Sequence, residues 1–148
     1  MLIAVLSLLT SIFNGYLNNK FVGIIQSNLG RGEYMRTCKE IIDAYFQVKF
    51  RAGLIHANGT VAGAAGSPTA QVDAANAVNK FAALGTYLAN LRDDERRGQY
   101  TELSRQLDKI VSEAGRTSPD QLNNLFEPAD RLFYDMNNDC VKSAKAAS

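Results

Sequence analysis

Hydrophobic residues recur at spacings of three and four in four separate stretches of the chain. That spacing places them on one face of an α-helix and predicts four amphipathic helices, over about 33–56, 71–94, 99–114 and 118–146. The predicted inward-facing rows are Tyr34, Cys38, Ile41, Tyr45 and Val48, widened by Met35, Ile42 and Phe46; Val78, Phe81, Leu84, Leu88 and Leu91; Tyr100, Leu103, Leu107, Ile110 and Val111; and Leu122, Leu125, Phe126, Ala129, Leu132, Phe133, Met136 and Cys140. No stretch alternates with period two for long enough to predict a strand.

Turn and capping signals separate these stretches. Residues 57–70 are rich in Gly and predict a surface loop, and Gly98 and Gly115 are expected to stop the helices before them. Ser118 is the predicted N-cap of the last helix, which Pro128 should kink or split.

Short links after the second and third helices favour antiparallel neighbours. The predicted fold is therefore all-α. It consists of an up-and-down four-helix bundle over residues 30–148 and an additional hydrophobic N-terminal helix over residues 1–29.

The opening segment MLIAVLSLLTSIFNGYL, residues 1–17, carries no charged side chain. One helical face is formed by Leu2, Val5, Leu6, Leu9, Ile12 and Phe13, and Ile3, Ala4 and Leu8 make the opposite face apolar too. A helix that is apolar all round needs an apolar environment on every side, so a membrane-embedded or partner-buried anchor is favoured over a soluble core helix. A removable signal peptide is disfavoured, because no basic residue precedes the segment and no small-residue cleavage site follows it.

Composition and charge narrow the function further. The 148-residue chain has 16 basic and 15 acidic residues and a net charge of +1. It therefore lacks the excess of positive charge that is typical of a nucleic-acid-binding surface. His56 is the only histidine, so a histidine-rich metal centre cannot be built, and no phosphate-binding or haem-attachment motif is present. We therefore expect no catalytic residue, no metal site and no cofactor, and interpret the protein as non-enzymatic.

Three further features have two interpretations each. Cys38 and Cys140 are either separate buried thiols, the simpler interpretation, or a disulfide that closes a very long loop. The charged run RDDERR, residues 92–97, is either a docking patch or, as we favour, a solvated turn with local ion pairs. Asp130, Asp135 and Asp139 could suggest cation binding, but an acidic outer side of the last helix explains them better.

The helix order over residues 33–146 and segments such as LNNLFEPADRLFYDM, residues 122–136, resemble the PsbQ-like extrinsic four-helix subunits of photosystem II in plants and algae. The resemblance implies the thylakoid membrane or lumen as the location. It also implies a role in stabilising or assembling a photosystem.

We therefore expect a non-catalytic accessory subunit of a larger membrane protein complex, whose partners are the other subunits and membrane lipid. The alternative is a membrane-anchored four-helix ligand-sensing domain of chemoreceptor type. Four basic residues follow the opening segment, namely Lys20, Arg31, Arg36 and Lys39. They would place the bundle on the cytoplasmic or stromal side, whereas a disulfide would place it on the opposite side.

Overall fold

The computed structural model describes residues 30–59, 68–90 and 93–146, and within these ranges the protein is all-α without a strand. Four helices follow one another: α1 over residues 30–59, α2 over Pro68–Asn90, α3 over Asp94–Glu113 and α4 over Pro119–Ala146. A single 3₁₀ turn, Ala114–Arg116, follows α3. The predicted N-terminal helix over residues 1–29 lies outside the described residues.

The helices contact one another in antiparallel pairs. The beginning of α1 meets the end of α4 through Cys38 and Cys140, while Tyr45 and Phe81 join α1 to α2 with ring centroids 6.1 Å apart. The end of α2 packs against the beginning of α3 so closely that a Cβ atom added to Gly85 would lie 2.9 Å from Tyr100 Cδ1. Gly85 is therefore the residue that allows this approach.

Most of the predicted inward-facing positions belong to one hydrophobic core, although Met35 and Phe46 are exposed and Leu91 lies outside the described residues. The largest fully buried side chains come from all four helices: Tyr45, Phe81, Ile55, Leu88, Leu103, Leu107, Val48 and Cys140. All five positions predicted for the third helix are buried, which confirms its periodicity. Helical spacing alone located this core because burying one apolar face is what makes an amphipathic helix stable in a protein.

The beginning of α3 differs from the prediction. The predicted stop at Gly98 is wrong, because α2 ends at Asn90 and α3 already begins at Asp94. Asp93 is the N-cap, and its side chain accepts a hydrogen bond of 2.9 Å from the backbone N–H of Arg96. Asp94 and Glu95 then lie in the first turn, where the helix dipole favours acidic side chains.

The beginning of α4 is as predicted. The Ser118 hydroxyl accepts a hydrogen bond from the backbone N–H of Gln121, and the Gln121 side chain accepts one from the backbone N–H of Ser118. This reciprocal pair satisfies two backbone donors that the helix itself leaves unpaired. Pro128 lies inside α4 and does not split it, contrary to one of the two predicted outcomes.

The end of α1 comes close to the 3₁₀ turn. A Cβ atom at Gly59 would lie 2.7 Å from the carbonyl oxygen of Gly115, so only glycine fits there without movement. The predicted loop 57–70 is wrong at both ends, since residues 57–59 belong to α1 and residues 68–70 to α2, and residues 60–67 lie outside the described residues.

Candidate functional site

A partly buried polar cluster joins α1 to α4. The Tyr45 hydroxyl donates a hydrogen bond of 2.7 Å to Asp130 Oδ1, and Lys49 Nζ lies 2.8 Å from both carboxylate oxygens of Asp130. The Tyr45 ring stacks on Phe133 at 3.9 Å between centroids, and Lys49 Nζ lies 5.0 Å from the centroid of the Phe126 ring. We call Tyr45, Lys49, Asp130 and Phe133 the polar seam.

The chemistry of the polar seam favours a structural role. Burial of Tyr45 raises the pKa of its phenol far above the ordinary value, and the hydrogen bond to Asp130 and the negative charge of that carboxylate raise it further. A phenol that holds its proton so firmly is a poor acid and a poor source of phenolate at neutral pH. The seam therefore fastens two helices by satisfying each polar group with another.

Two of the three aspartates that could suggest cation binding lie differently from the prediction. Asp130 and Asp139 were expected on an acidic outer side, but Asp130 binds Lys49 of α1 and Asp139 lies 3.1 Å from Arg96 of α3. Asp135 alone of the three is exposed, as expected. Each of the two paired carboxylates meets a cation from another helix, and within the described residues no group of His, Cys, Asp and Glu could hold a metal ion.

The charged run at residues 92–97 does more than form local pairs. Asp94 and Arg97 form a local pair at 3.4 Å, in agreement with the favoured interpretation. Asp93 caps α3, however, and Arg96 reaches Asp139 on α4. The run thus contributes to the contact between α3 and α4 through a partly buried ion pair.

The two cysteines form a disulfide in the structure, instead of the two separate thiols that the simpler interpretation expected. Their Cα atoms are 6.1 Å apart, and both residues are buried. The bond joins the first helix to the last across 102 positions of sequence.

His56 lies at the end of α1 and contacts the 3₁₀ turn. Its Nδ1 atom is 3.3 Å from the carbonyl oxygen of Ala114, close to the contact between Gly59 and Gly115. This partly buried histidine therefore links the end of α1 to the 3₁₀ turn.

The outer surface of α1 carries large apolar side chains that the other described helices leave largely exposed. The relative exposures are Met35 43%, Phe46 56%, Phe50 63% and Leu54 43%. Phe46, Phe50 and Leu54 follow one another at intervals of four and so form one row along the helix. We call these four residues the α1 stripe.

The α1 stripe corrects the sequence interpretation. Met35 and Phe46 were expected to widen the buried face of the first helix, yet both are exposed. A signal was available, because Phe46, Phe50 and Leu54 make a second row with its own spacing of four. That row lies on a different face of the helix from the buried row of Cys38, Ile41, Tyr45 and Val48. The two faces of one helix cannot both pack against the same core.

Shallow grooves lie on either side of α2. The groove between α2 and α3 has a volume of about 200 Å³ and is lined by Thr86, Arg97, Tyr100, Thr101 and Ser104, with two alanines. The hydroxyls of Thr86, Thr101 and Ser104 each donate to a backbone carbonyl of their own helix. The second groove, between α1 and α2, is lined mainly by charged and amide side chains, including the Arg51–Asp73 pair.

The six predicted anchor residues, Leu2, Val5, Leu6, Leu9, Ile12 and Phe13, lie outside the described residues. Of the helices that the structure describes, none combines the length and the hydropathy needed to cross a bilayer. Comparison of the chain with protein-family models, curated proteins and solved structures gives no significant match.

Proposed function

We propose that the protein is a non-catalytic accessory subunit of a larger membrane protein complex. In this proposal residues 30–148 form an up-and-down four-helix bundle, and residues 1–29 form a hydrophobic helix that anchors it in the membrane or against partner subunits. The observation that carries the proposal is the α1 stripe, since exposed large apolar side chains on one helix face mark an interaction surface. The uncharged segment 1–17 supplies a second apolar surface in the same chain.

The polar groups of the bundle support a structural function. Tyr45, Lys49 and Asp130 satisfy one another, and Arg96 and Asp139 do the same. Catalysis needs an acid, base or nucleophile that is free to act on a substrate. These five residues are instead used to hold α1, α3 and α4 together, so we propose that the protein contributes geometry and contact area to its complex.

The location that we propose follows from the resemblance to PsbQ-like subunits and from the disulfide. The resemblance favours a photosystem at the thylakoid membrane, with the bundle on the lumenal side. Disulfides persist in oxidising compartments and are rare in reducing ones, so the Cys38–Cys140 bond favours that side over the stromal or cytoplasmic side.

The test of the proposal is a double substitution in the anchor, Leu6→Asp with Leu9→Asp. A charge at the centre of a membrane helix costs about 2.5–3.5 kcal/mol per residue on insertion scales, so the variant should leave the membrane fraction and lose its co-purifying subunits. The bundle should remain folded, as measured by circular dichroism and thermal unfolding. The matched control is Val72→Asp with Tyr87→Asp, which places two charges at exposed apolar positions of α2 and should leave association intact.

Full membrane association and unchanged partners in the Leu6/Leu9 variant would contradict the anchoring role. The sensing alternative has a specific observation in its favour, the groove between α2 and α3 that presents Arg97 beside hydroxyl groups. A soluble dimer that is thermally stabilised by a small anion, with no co-purifying subunit, would support that alternative over the accessory subunit.

A further inference from the structure

We infer that the α1 stripe is a lipid-contact surface, whose apolar side chains enter the boundary between headgroups and acyl chains and hold α1 parallel to a bilayer. The inference rests on the proposed function, because that function brings the chain to a membrane. It goes further by assigning a second membrane contact, on the bundle itself and separate from residues 1–29.

The chemistry of the stripe suits an interfacial position. Helices that lie in the membrane surface bury Phe, Leu and Trp side chains by about 5–10 Å. Here the exposed row consists of Phe46, Phe50 and Leu54, and Phe46 also contacts Phe133, next to the exposed Tyr134 on α4. An exposed tyrosine such as Tyr134 also suits this boundary, because its ring can enter lipid while its hydroxyl stays in water.

The charged side chains near Phe50 and Leu54 form ion pairs with other helices. Lys49 binds Asp130 on α4, and Arg51 lies 3.4 Å from Asp73 on α2. Between Arg51 and Asp73 the sequence contains no Asp, Glu, Lys or Arg. The stripe can therefore approach lipid without taking a charged side chain of that region out of water.

The position of the stripe relative to the anchor supports lipid as the occupant. The uncharged segment 1–17 is joined to α1 through residues 18–29, and Met35 lies within six residues of that junction. From Met35 to Leu54 the stripe extends for about 28 Å along the helix axis, at 1.5 Å per residue. A bundle that lies with this face on the bilayer has the beginning of α1 at the same surface that the anchor enters.

A second copy of the chain fits the stripe less well. Lys39 and Asp43 lie seven residues before Phe46 and Phe50, on the same exposed face. An antiparallel pairing centred between Phe46 and Phe50 would set Asp43 against Gly53, and Lys39 against Ala57, of the other copy. Both charges would then lose water without gaining a countercharge. At a bilayer, Lys39 can extend its ammonium group to the phosphates, and Asp43 borders the polar groove between α1 and α2, where water can reach its carboxylate.

The absence of tryptophan from the sequence allows a direct test. Phe50→Trp introduces a single indole at the most exposed position of the stripe, and Tyr87→Trp introduces one on α2 as the matched control. The full chain is incorporated into phosphatidylcholine vesicles with and without brominated phosphatidylcholine. We expect the Phe50→Trp indole to shift its emission to the blue and to lose intensity with the brominated lipid, whereas the control does neither. Raised salt should not reverse this, because the contact is apolar.

The possible outcomes separate this inference from the proposed function. If the chain floats with the vesicles but the Phe50→Trp indole is not quenched, the anchor stands and the lipid-contact surface is wrong. If the chain does not float and the indole is not quenched, the lipid-contact surface is wrong, and residues 1–29 do not anchor the chain in lipid, which leaves only the partner subunits of the proposed function as their contact. A blue shift without vesicles that grows with protein concentration would assign the stripe to a second copy. A shift seen only with the partner subunits present would assign it to a protein.

Leu54→Trp, one turn further along the stripe, is a second probe of the same surface. It keeps the inference testable if the Phe50→Trp variant does not fold. The circular dichroism spectrum of each variant is compared with that of the original chain. Both stripe variants should give the same quenching by lipid, and a folded Leu54→Trp variant without quenching would overturn the inference.

Discussion

At the scale of single residues, the Tyr45 side chain makes both an apolar contact and a hydrogen bond. Its ring stacks on Phe133 inside the core, while its hydroxyl donates to Asp130 at the edge of the core. The phenol is almost fully buried, whereas the side chains of Lys49 and Asp130 remain about a third or more exposed. The Lys49–Asp130 pair is therefore screened by water, and the hydrogen bond of Tyr45 is the better protected contact.

Tyr45→Phe should lower the free energy of unfolding by about 1 kcal/mol at neutral pH, because it removes one hydrogen bond and keeps the stacked ring. The raised pKa of Tyr45 gives this difference a pH dependence. Unfolded tyrosine ionises near pH 10, while folded Tyr45 keeps its proton, so its stabilising contribution is complete below about pH 10 and is lost as the pH rises above it. Urea unfolding of both proteins at about pH 7 and about pH 11 measures this.

The difference between the original chain and the Tyr45→Phe variant should shrink or change sign at the higher pH. Tyr134→Phe is the matched control, because its phenol is largely exposed and its removal should have little effect at either pH. A Tyr45→Phe difference that is the same at both pH values would contradict the assigned pKa direction.

At the scale of helices, capping decided where α3 and α4 begin. In both cases a short oxygen-bearing side chain accepts a hydrogen bond from the backbone N–H three residues later: Asp93 for α3 and Ser118 for α4. The α4 signal was recognised because Pro119 follows Ser118, and Pro is typical of a first helical position. The α3 signal was hidden in a run of charges that also contains Gly98, which lies within α3 without any contact that requires glycine.

Asp93→Ala should lower the free energy of unfolding by about 1 kcal/mol, since the backbone N–H of Arg96 loses its acceptor. Asp93→Asn retains an acceptor oxygen and should recover most of the loss. Asp108→Ala, at an exposed position in the interior of α3, is the control. It should raise the free energy of unfolding, because Ala favours a helix more than Asp does. The measurement is chemical denaturation of the three variants. Equal stability of the Ala and Asn variants would show that the cap contributes nothing.

At the scale of the whole molecule, the contact between α1 and α4 closes the set of four helices. It joins the first helix to the last, and no short loop brings these two together. The disulfide, the polar seam and the stacked Tyr45 and Phe133 rings all lie along this contact. The chain between α1 and α4 is longer than that between any other two helices in contact, so its closure costs the most conformational entropy. This contact also carries the only covalent cross-link among the described residues.

Cys38→Ala with Cys140→Ala should lower the free energy of unfolding by about 2–4 kcal/mol, because the bond restricts the unfolded chain over a loop of about 100 residues. Urea unfolding with and without a thiol reductant measures the effect. The reductant should destabilise the original chain and leave the double variant unchanged. Identical midpoints for the original chain in both conditions would contradict a stabilising role for the disulfide.

Within the described residues, helical periodicity predicted the number and order of the helices and most of the core. The row of Cys38, Ile41, Tyr45 and Val48 is buried, and the five predicted positions on α3 are buried as well. The prediction of the core succeeded because the spacing of apolar residues along one helix is a local property of the sequence. That spacing determines which face of the helix can be buried against an apolar neighbour. The proposed anchor in residues 1–29 and the proposed function remain predictions from the same kind of pattern.

Only the tertiary structure decided which residues meet across helices. Asp130 binds Tyr45 and Lys49 over more than 80 positions of sequence, and Arg96 finds Asp139 over 43. The same packing decided that Phe46 and Phe50 face outwards, although both are as apolar as the core. Periodicity defines the faces of one helix, but the rotation of that helix against its neighbours determines which face is covered. That rotation is fixed jointly by the side chains of all four helices, so no single stretch of sequence contains it.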